Sequence, residues 1–231
     1  MPSSQTALII GASRGLGLGL AREYLARGWR VIAMVRDPTS PAIREPKAEF
    51  DRALDIETLD IAEQNQIAAL RRRLADRAID LLFVNAGVTN DPNEPIGEVS
   101  TEEFIRVMVT NALSPMRVIE TFADRLCSDG VAAVMSSGLG SVADNDGGGW
   151  ELYRASKAAL NTLMKSVAAR RATAKQAFLV VAPGWVRTDM GGPSAPLDVE
   201  TSVRGIADAI ASRHGEGGVA YVDYRNRIVR W

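Results

Sequence analysis

The stretch Ala7-Leu8-Ile9-Ile10-Gly11-Ala12-Ser13-Arg14-Gly15-Leu16-Gly17 decides how the rest of the chain is read. Its apolar opening predicts a buried strand, the glycines end that strand, and helical periodicity runs from about Leu16 to Ala26. A glycine-rich turn between strand and helix lets backbone approach a pyrophosphate, while the helix N-terminus offers free N–H groups and a partial positive charge. The spacing is G-x-x-x-G-x-G rather than the commoner G-x-G-x-x-G. Glycine-rich chains produce such strings by chance, so the placement between strand and helix is what points to a dinucleotide.

Outward from this turn the alternation repeats. Val31-Val35, Leu81-Val84, Val131-Met135, Phe178-Val181 and Val219-Val222 read as further strands, and helices are expected at about 63–77, 102–126, 152–171 and 203–212. Such alternation predicts an α/β fold, a doubly wound parallel sheet with helices on both faces and right-handed crossovers. Residues 37–50, 88–98, 139–150 and 183–198 read as loops. A chain of 231 residues suits a single domain spanning 1–231, with a short substrate loop at about 188–198.

Composition narrows the function classes. With 27 basic and 28 acidic side chains the net charge is -1, which gives no electrostatic footprint for nucleic acid or an anionic membrane. The one cysteine, Cys127, closes no internal disulfide, and His214 is the only histidine, so no metal cluster or Cys-His dyad is expected. The first apolar run is too short for a signal peptide or a membrane span, and the expected compartment is a reducing cytoplasm.

A dinucleotide site that prefers NAD normally ends its second strand with an acid that accepts from the ribose 2′-hydroxyl. Here Val35 holds that place and Arg36 follows. With Arg14 inside the glycine turn, two guanidinium groups can converge on a 2′-phosphate, so NADP(H) is favoured over NAD(H). A small shift in strand register would instead bring Asp37 toward the ribose. Two solvated arginines on an arginine-rich chain would look the same.

Tyr153 and Lys157 are four apart at the start of a predicted helix, so they share a face. A neighbouring ammonium would lower the phenol's pKa toward neutrality, which makes the pair a proton carrier; a surface Tyr-Lys contact is the plainer reading. Ser136 and Ser137 close a strand, and Pro115 withholds an N–H from the carbonyl of Asn111, so the long helix is expected to kink there with that carbonyl free. In the loop Ala143–Trp150, Asp144, Asn145 and Asp146 lack the partners of a calcium loop and read as a solvated, mobile turn. Leu139, Trp150, Trp185 and Met190 are candidate apolar walls of a substrate pocket, and each also fits a core role.

Taken together and in this order, these motifs resemble the short-chain dehydrogenase/reductase family over essentially the whole chain. The resemblance implies a seven-stranded Rossmann sheet and hydride transfer between nicotinamide and a carbonyl or alcohol substrate. It likens Gly11, Ser13, Arg14, Gly15, Leu16 and Gly17 to the cofactor turn, Asp60 and Ile61 to the adenine contacts, and Asn85-Ala86-Gly87 to the family's N-A-G strand end. Asn111, Ser137, Tyr153 and Lys157 correspond to the catalytic tetrad, Ser137 being preferred to Ser136 and Ser141. Pro183, Gly184, Val186 and Thr188 correspond to the segment that holds the nicotinamide amide. S-S-G-L-G-S-V-A-D-N and P-G-W-V-R-T-D-M-G-G are similar to the branch containing C-factor and sniffer-type carbonyl reductases. That branch implies an alternative, a nucleotide-binding signalling protein with little turnover, and assembly as a homodimer, a homotetramer or a monomer. Ile10 and Val84 depart from the family's usual Thr and Asn, and the Ser137–Tyr153 interval is longer than usual.

Overall fold

The computed structural model describes residues 4–75, 77–171 and 175–231. β1 (Thr6–Ile10), β2 (Arg30–Val35), β3 (Leu54–Thr58), β4 (Ile79–Val84), β5 (Leu126–Met135), β6 (Ala177–Ala182) and β7 (Val219–Asp223) form a seven-stranded sheet in the order β3-β2-β1-β4-β5-β6-β7. Every pairing is parallel. The side-chain period of two divides each central strand between the faces. Leu8 and Ile10 pack into one core layer with Ile67, Val118 and Leu160, whereas Ala7 and Ile9 pack into the other with Leu20, Val203 and Ile206. Helices α1 (Gly15–Ala26), α2 (Pro41–Glu49), α3 (Gln64–Arg73), α4 (Thr101–Met108), α5 (Ser114–Phe122), α6 (Glu151–Arg170) and α7 (Val199–Ala211) supply those layers. The chain leaves β1 toward β2 on one side and returns through β4 on the other. That switch point opens a crevice at the carboxyl ends of the strands.

Two elements correct the sequence reading. Residues 37–50, expected as a loop, contain α2, whose Pro41 occupies the first turn, where a missing N–H costs nothing, and whose Pro46 forgoes one bond in the interior. The seventh strand, absent from the pattern of apolar runs, is β3, an edge strand that alternates Leu54, Asp55, Ile56, Glu57. Its acids are paired outward, Glu57 with Arg73 at 2.9 Å and Asp55 with Arg77 at 2.8 Å, which charges an otherwise open sheet edge. The helix expected at about 102–126 is broken: α4 passes into a π-helical turn, Val109–Leu113, before α5, and the segment from Leu126 already belongs to β5. The distortion expected at Asn111 therefore takes the form of a π turn, because Pro115 has no N–H to donate to the carbonyl of Asn111, four residues back, or of Thr110, five residues back. α7 starts at Val199 rather than 203, capped by Asp198, which accepts from Thr201 N at 2.7 Å. Among the described residues no helix is long and apolar enough to cross a membrane.

Candidate active site

A cleft of about 1200 Å³ follows the carboxyl edge of β2, β1, β4, β5 and β6. Its floor at one end is the glycine turn. Gly11 has φ +87°, and a Cβ there would sit 2.8 Å from Ala86 Cα; a Cβ at Gly17 would lie 2.0 Å from the Gly11 carbonyl oxygen. Both positions therefore exclude a side chain, and Asn85 Nδ2 donates to the Gly11 carbonyl at 2.8 Å to lock the turn against β4. No side chain caps the first turn of α1. Backbone, not side chains, thus lines the place where a pyrophosphate would lie, and the residues present fit a dinucleotide.

Beyond the turn, Arg36 is the first residue past β2 and lines the cleft with Asp60 and Ile61. Asp37 does not line it. Its Oδ1 accepts from Thr39 N at 2.8 Å and Thr39 Oγ1 at 2.6 Å, which holds the carboxyl below the usual range and turns it into its own loop. The strand register thus leaves an arginine, not an acid, facing the cleft. Arg14 also lines the cleft, but its guanidinium ends in an ion pair with Asp189 at 2.6 Å rather than converging on Arg36. Asp189 belongs to the loop after Thr188, whose neck closes through Arg187 N to Leu197 O at 2.8 Å.

At the other end, α6 presents Tyr153 and Lys157 on one buried face, the lysine only 3% exposed. Lys157 Nζ donates to the Met135 carbonyl at 2.8 Å and lies 5.6 Å from the centre of the Tyr153 ring. The two strand-end serines separate cleanly. Ser136 Oγ donates to Asn161 Oδ1 at 2.6 Å inside the core, and Ser141 Oγ donates to Asp144, whereas Ser137 lies beside the Tyr153 phenol and accepts from Leu139 N at 3.1 Å. Asn111 is fully buried, its amide donating to Val88 O at 2.8 Å and Ser156 Oγ at 2.9 Å while its oxygen accepts from Val88 N. Its side chain is thus a staple between the β4 loop and α6.

The expected electrostatics need correction. Lys157 was expected to lower the phenol's pKa, yet burial pushes Tyr153 up to about 12 and Lys157 down to about 8. Desolvation disfavours both charged forms, and Ser137 offsets only part of the effect on the phenol. Tyr153 therefore holds its proton across the physiological range.

Leu139, Trp150, Trp185 and Met190 all line the cleft. Trp150 adopts φ +55° at the start of α6, donates its backbone N–H to Pro92 O at 3.2 Å, and meets Tyr153 edge-on at 5.7 Å. Trp185 donates its indole N–H to Gly191 O at 2.8 Å, which ties it to the loop neck. Asn85, Ala86, Gly87, Pro183, Gly184, Val186 and Thr188 line the span between the two ends. The loop Ala143–Trp150 is solvent-exposed up to its tryptophan, and Asp144 pairs with Arg230 near the end of the chain. Sequence reading missed Ser156, Arg106, Tyr224 and Arg227, of which the last three line the cleft. For Ser156 a signal existed, since a hydroxyl one position before Lys157 on the buried helix face must find a partner.

The sequence profile of the short chain dehydrogenase family matches residues 5–196. Among solved structures, a short-chain dehydrogenase/reductase from Burkholderia multivorans with bound NADP is 52% identical, with a TM-score of 0.96 over 99% of this chain and 100% of that one. A carbonyl reductase from Pseudomonas aeruginosa PAO1 in complex with NADP is 38% identical, with a TM-score of 0.93 over 99% and 100% of the two chains. The C-signal protein of Myxococcus xanthus is 36% identical over 155 residues, 66% of this chain and 93% of that protein.

Proposed function

Because the chain belongs to the short-chain dehydrogenase family, we propose that it is an NADP(H)-dependent carbonyl reductase acting on small aldehydes, ketones or quinones, with Tyr153 as the general acid. One observation carries the reading: a buried phenol that keeps its proton, beside Ser137 and Lys157, at the end of a cleft whose other end is a backbone cradle. The NADP-bound relatives and the arginine at the end of β2 support NADP(H) as the cofactor.

Gly11, Ser13, Gly15, Leu16 and Gly17 would hold the pyrophosphate. Arg36 and Arg14 would grip the 2′-phosphate, and Asp60 and Ile61 would flank the adenine. Asn85, Ala86, Gly87 and Lys157 would face the ribose, and Pro183, Gly184, Val186 and Thr188 the nicotinamide amide. The bound cofactor supplies the hydride. Tyr153 donates its proton to the substrate carbonyl oxygen, which Ser137 orients by hydrogen bond. Lys157 keeps a positive charge beside the phenolate left behind, and the Asn111 carbonyl accepts a water through which protons return. The apolar walls and Trp150 suit a substrate with aromatic or bulky apolar surface.

The C-signal relative supports a second reading, a signalling role in which cofactor occupancy matters more than turnover. A panel of aldehydes, ketones and quinones, assayed with NADPH and with NADH, separates the two. Turnover with NADPH preferred is expected; NADPH binding without oxidation across the panel would leave the signalling role standing.

A further inference from the structure

The family profile ends at residue 196, yet β7, the last strand, reaches back into the site. Tyr221 pairs in register with Val180 and is 1% exposed, so its phenol is buried in the core and must find a partner there. It donates to the main-chain carbonyl of Ser137, and its oxygen lies among the side chains of Ser136 and Asn161. We infer that Tyr221 is a positioning residue for Ser137, fixing the peptide plane from which the serine hydroxyl is aimed at substrate.

Three observations carry this. Ser137 is extended, φ −160° and ψ 151°, where the chain leaves β5 and turns at Gly138–Gly140. The turn is seated on α6 only at its far end, where a Cβ on Gly140 would meet Lys157 Cβ at 2.9 Å; a Cβ on Gly138, next to Ser137, would meet nothing within 4 Å, so the Ser137 peptide depends on its hydrogen bonds. Those bonds are complementary: the Ser137 carbonyl accepts from Gly140 N at 2.9 Å within the turn and from Tyr221 across the sheet, and Leu139 N–H donates to its Oγ at 3.1 Å. The end of the chain braces the tyrosine in turn. Val229 N donates to Tyr221 O at 2.8 Å, the Trp231 ring packs on the Tyr221 ring at 5.5 Å, and Lys165 Nζ lies over the Trp231 ring, 4.8 Å from its centre.

The inference rests on Ser137 orienting the substrate oxygen, and its test separates the two. Tyr221→Phe keeps the ring and its packing and removes only the donor. NADPH-dependent reduction of phenanthrenequinone, or of the best carbonyl in the panel, should lose about tenfold in kcat with KM for NADPH unchanged, since small misplacement of a catalytic group is costly. Amide exchange at Leu139 should accelerate by about the same factor. In a Ser137→Ala background the substitution should change kcat less than about twofold, because the group being aimed is gone; a merely structural role lowers kcat equally in both backgrounds. Trp231→Ala, which loosens Tyr221 from outside, should show a smaller loss with the same non-additivity, and stands in if Tyr221→Phe does not fold. Unchanged exchange at Leu139, or additive losses, overturns the assignment of Tyr221 alone. Undiminished kcat in Ser137→Ala removes the role of Ser137 and the inference with it.

Discussion

The two ends of the cleft are built on opposite principles. At the Tyr153 end Asn111 and Lys157 are 0% and 3% exposed, and the amide of one and the ammonium of the other are each tied to a named partner. At the phosphate end the side chains of Arg14 and Asp189 are 71% and 75% exposed, and their ion pair stands in water. Buried polar networks are costly to leave half satisfied, so the catalytic end has one arrangement. Exposed ion pairs contribute little and exchange partners readily. On the proposed roles, proton transfer would have a dry, fixed seat, while cofactor choice would be made by charges free to move.

The largest expected effect lies at the fixed end. Tyr153→Phe should cut turnover by roughly 10²- to 10⁴-fold while NADPH binding, followed by fluorescence titration, stays within about twofold. Lys157→Ala should lose both turnover and cofactor affinity, since the ammonium is proposed to face the ribose as well as the phenol. A Tyr153→Phe protein retaining more than about a tenth of wild-type kcat would break the comparison at its stronger side.

At the exposed end the effect is next in size. Charge-assisted hydrogen bonds contribute about 1.5–3 kcal/mol, so losing Arg36 should cost NADPH about tenfold or more in kcat/KM and leave NADH nearly unchanged. Val35→Asp with Arg36→Ala should reverse the preference by roughly 10²-fold, adding repulsion to lost attraction. Val35 is buried, so Arg36→Ala alone is the arm that spares folding. A wild-type protein that prefers NADH would mean that neither arginine reaches the ribose phosphate.

What was legible in the sequence follows the range of the physics. The glycine turn, the central strands and the Tyr153–Lys157 face are local patterns, and Pro115 announces the distortion at Asn111 because a missing N–H acts within one turn. α2 was hidden by its prolines, and β3 by the alternating charges of an edge strand. The choice of Ser137 over Ser136 needed Asn161, 25 residues from Ser136, and Tyr221 finds its carbonyl 84 residues away. The phenol's shift went the opposite way to expectation because burial, which no local string encodes, raises it and Ser137 offsets only part.

Burial also sets a pH dependence. With Lys157 pushed down to about 8 and Tyr153 up to about 12, the ammonium, not the phenol, titrates first as pH rises. Carbonyl reduction should therefore be flat below about pH 8 and fall above it by up to about tenfold per unit. The stability contribution has the opposite sign. The unfolded lysine binds its proton more tightly, so between about 8 and 10.5 the contribution of Lys157 to folding improves as pH rises. A kcat profile that falls while thermal stability does not would locate the loss at Lys157; a profile flat to pH 10 would show that its charge is dispensable.

The smallest effect sharpens the comparison most. Arg14 can serve a 2′-phosphate only by leaving Asp189, and exposed pairs of this kind are weak, so Asp189→Ala should tighten NADPH by at most about fivefold. NADH, which lacks the phosphate, should be unaffected, and raising ionic strength should shrink the difference because salt screens the pair in the wild type. Arg14→Ala should move NADPH affinity the other way. Equal changes for both cofactors would place the role of Asp189 in its loop, beside Thr188, rather than in competition for Arg14. No change for either would leave Arg36 as the sole grip on the phosphate and would make the pair a surface contact that the exposed end of the cleft does not use.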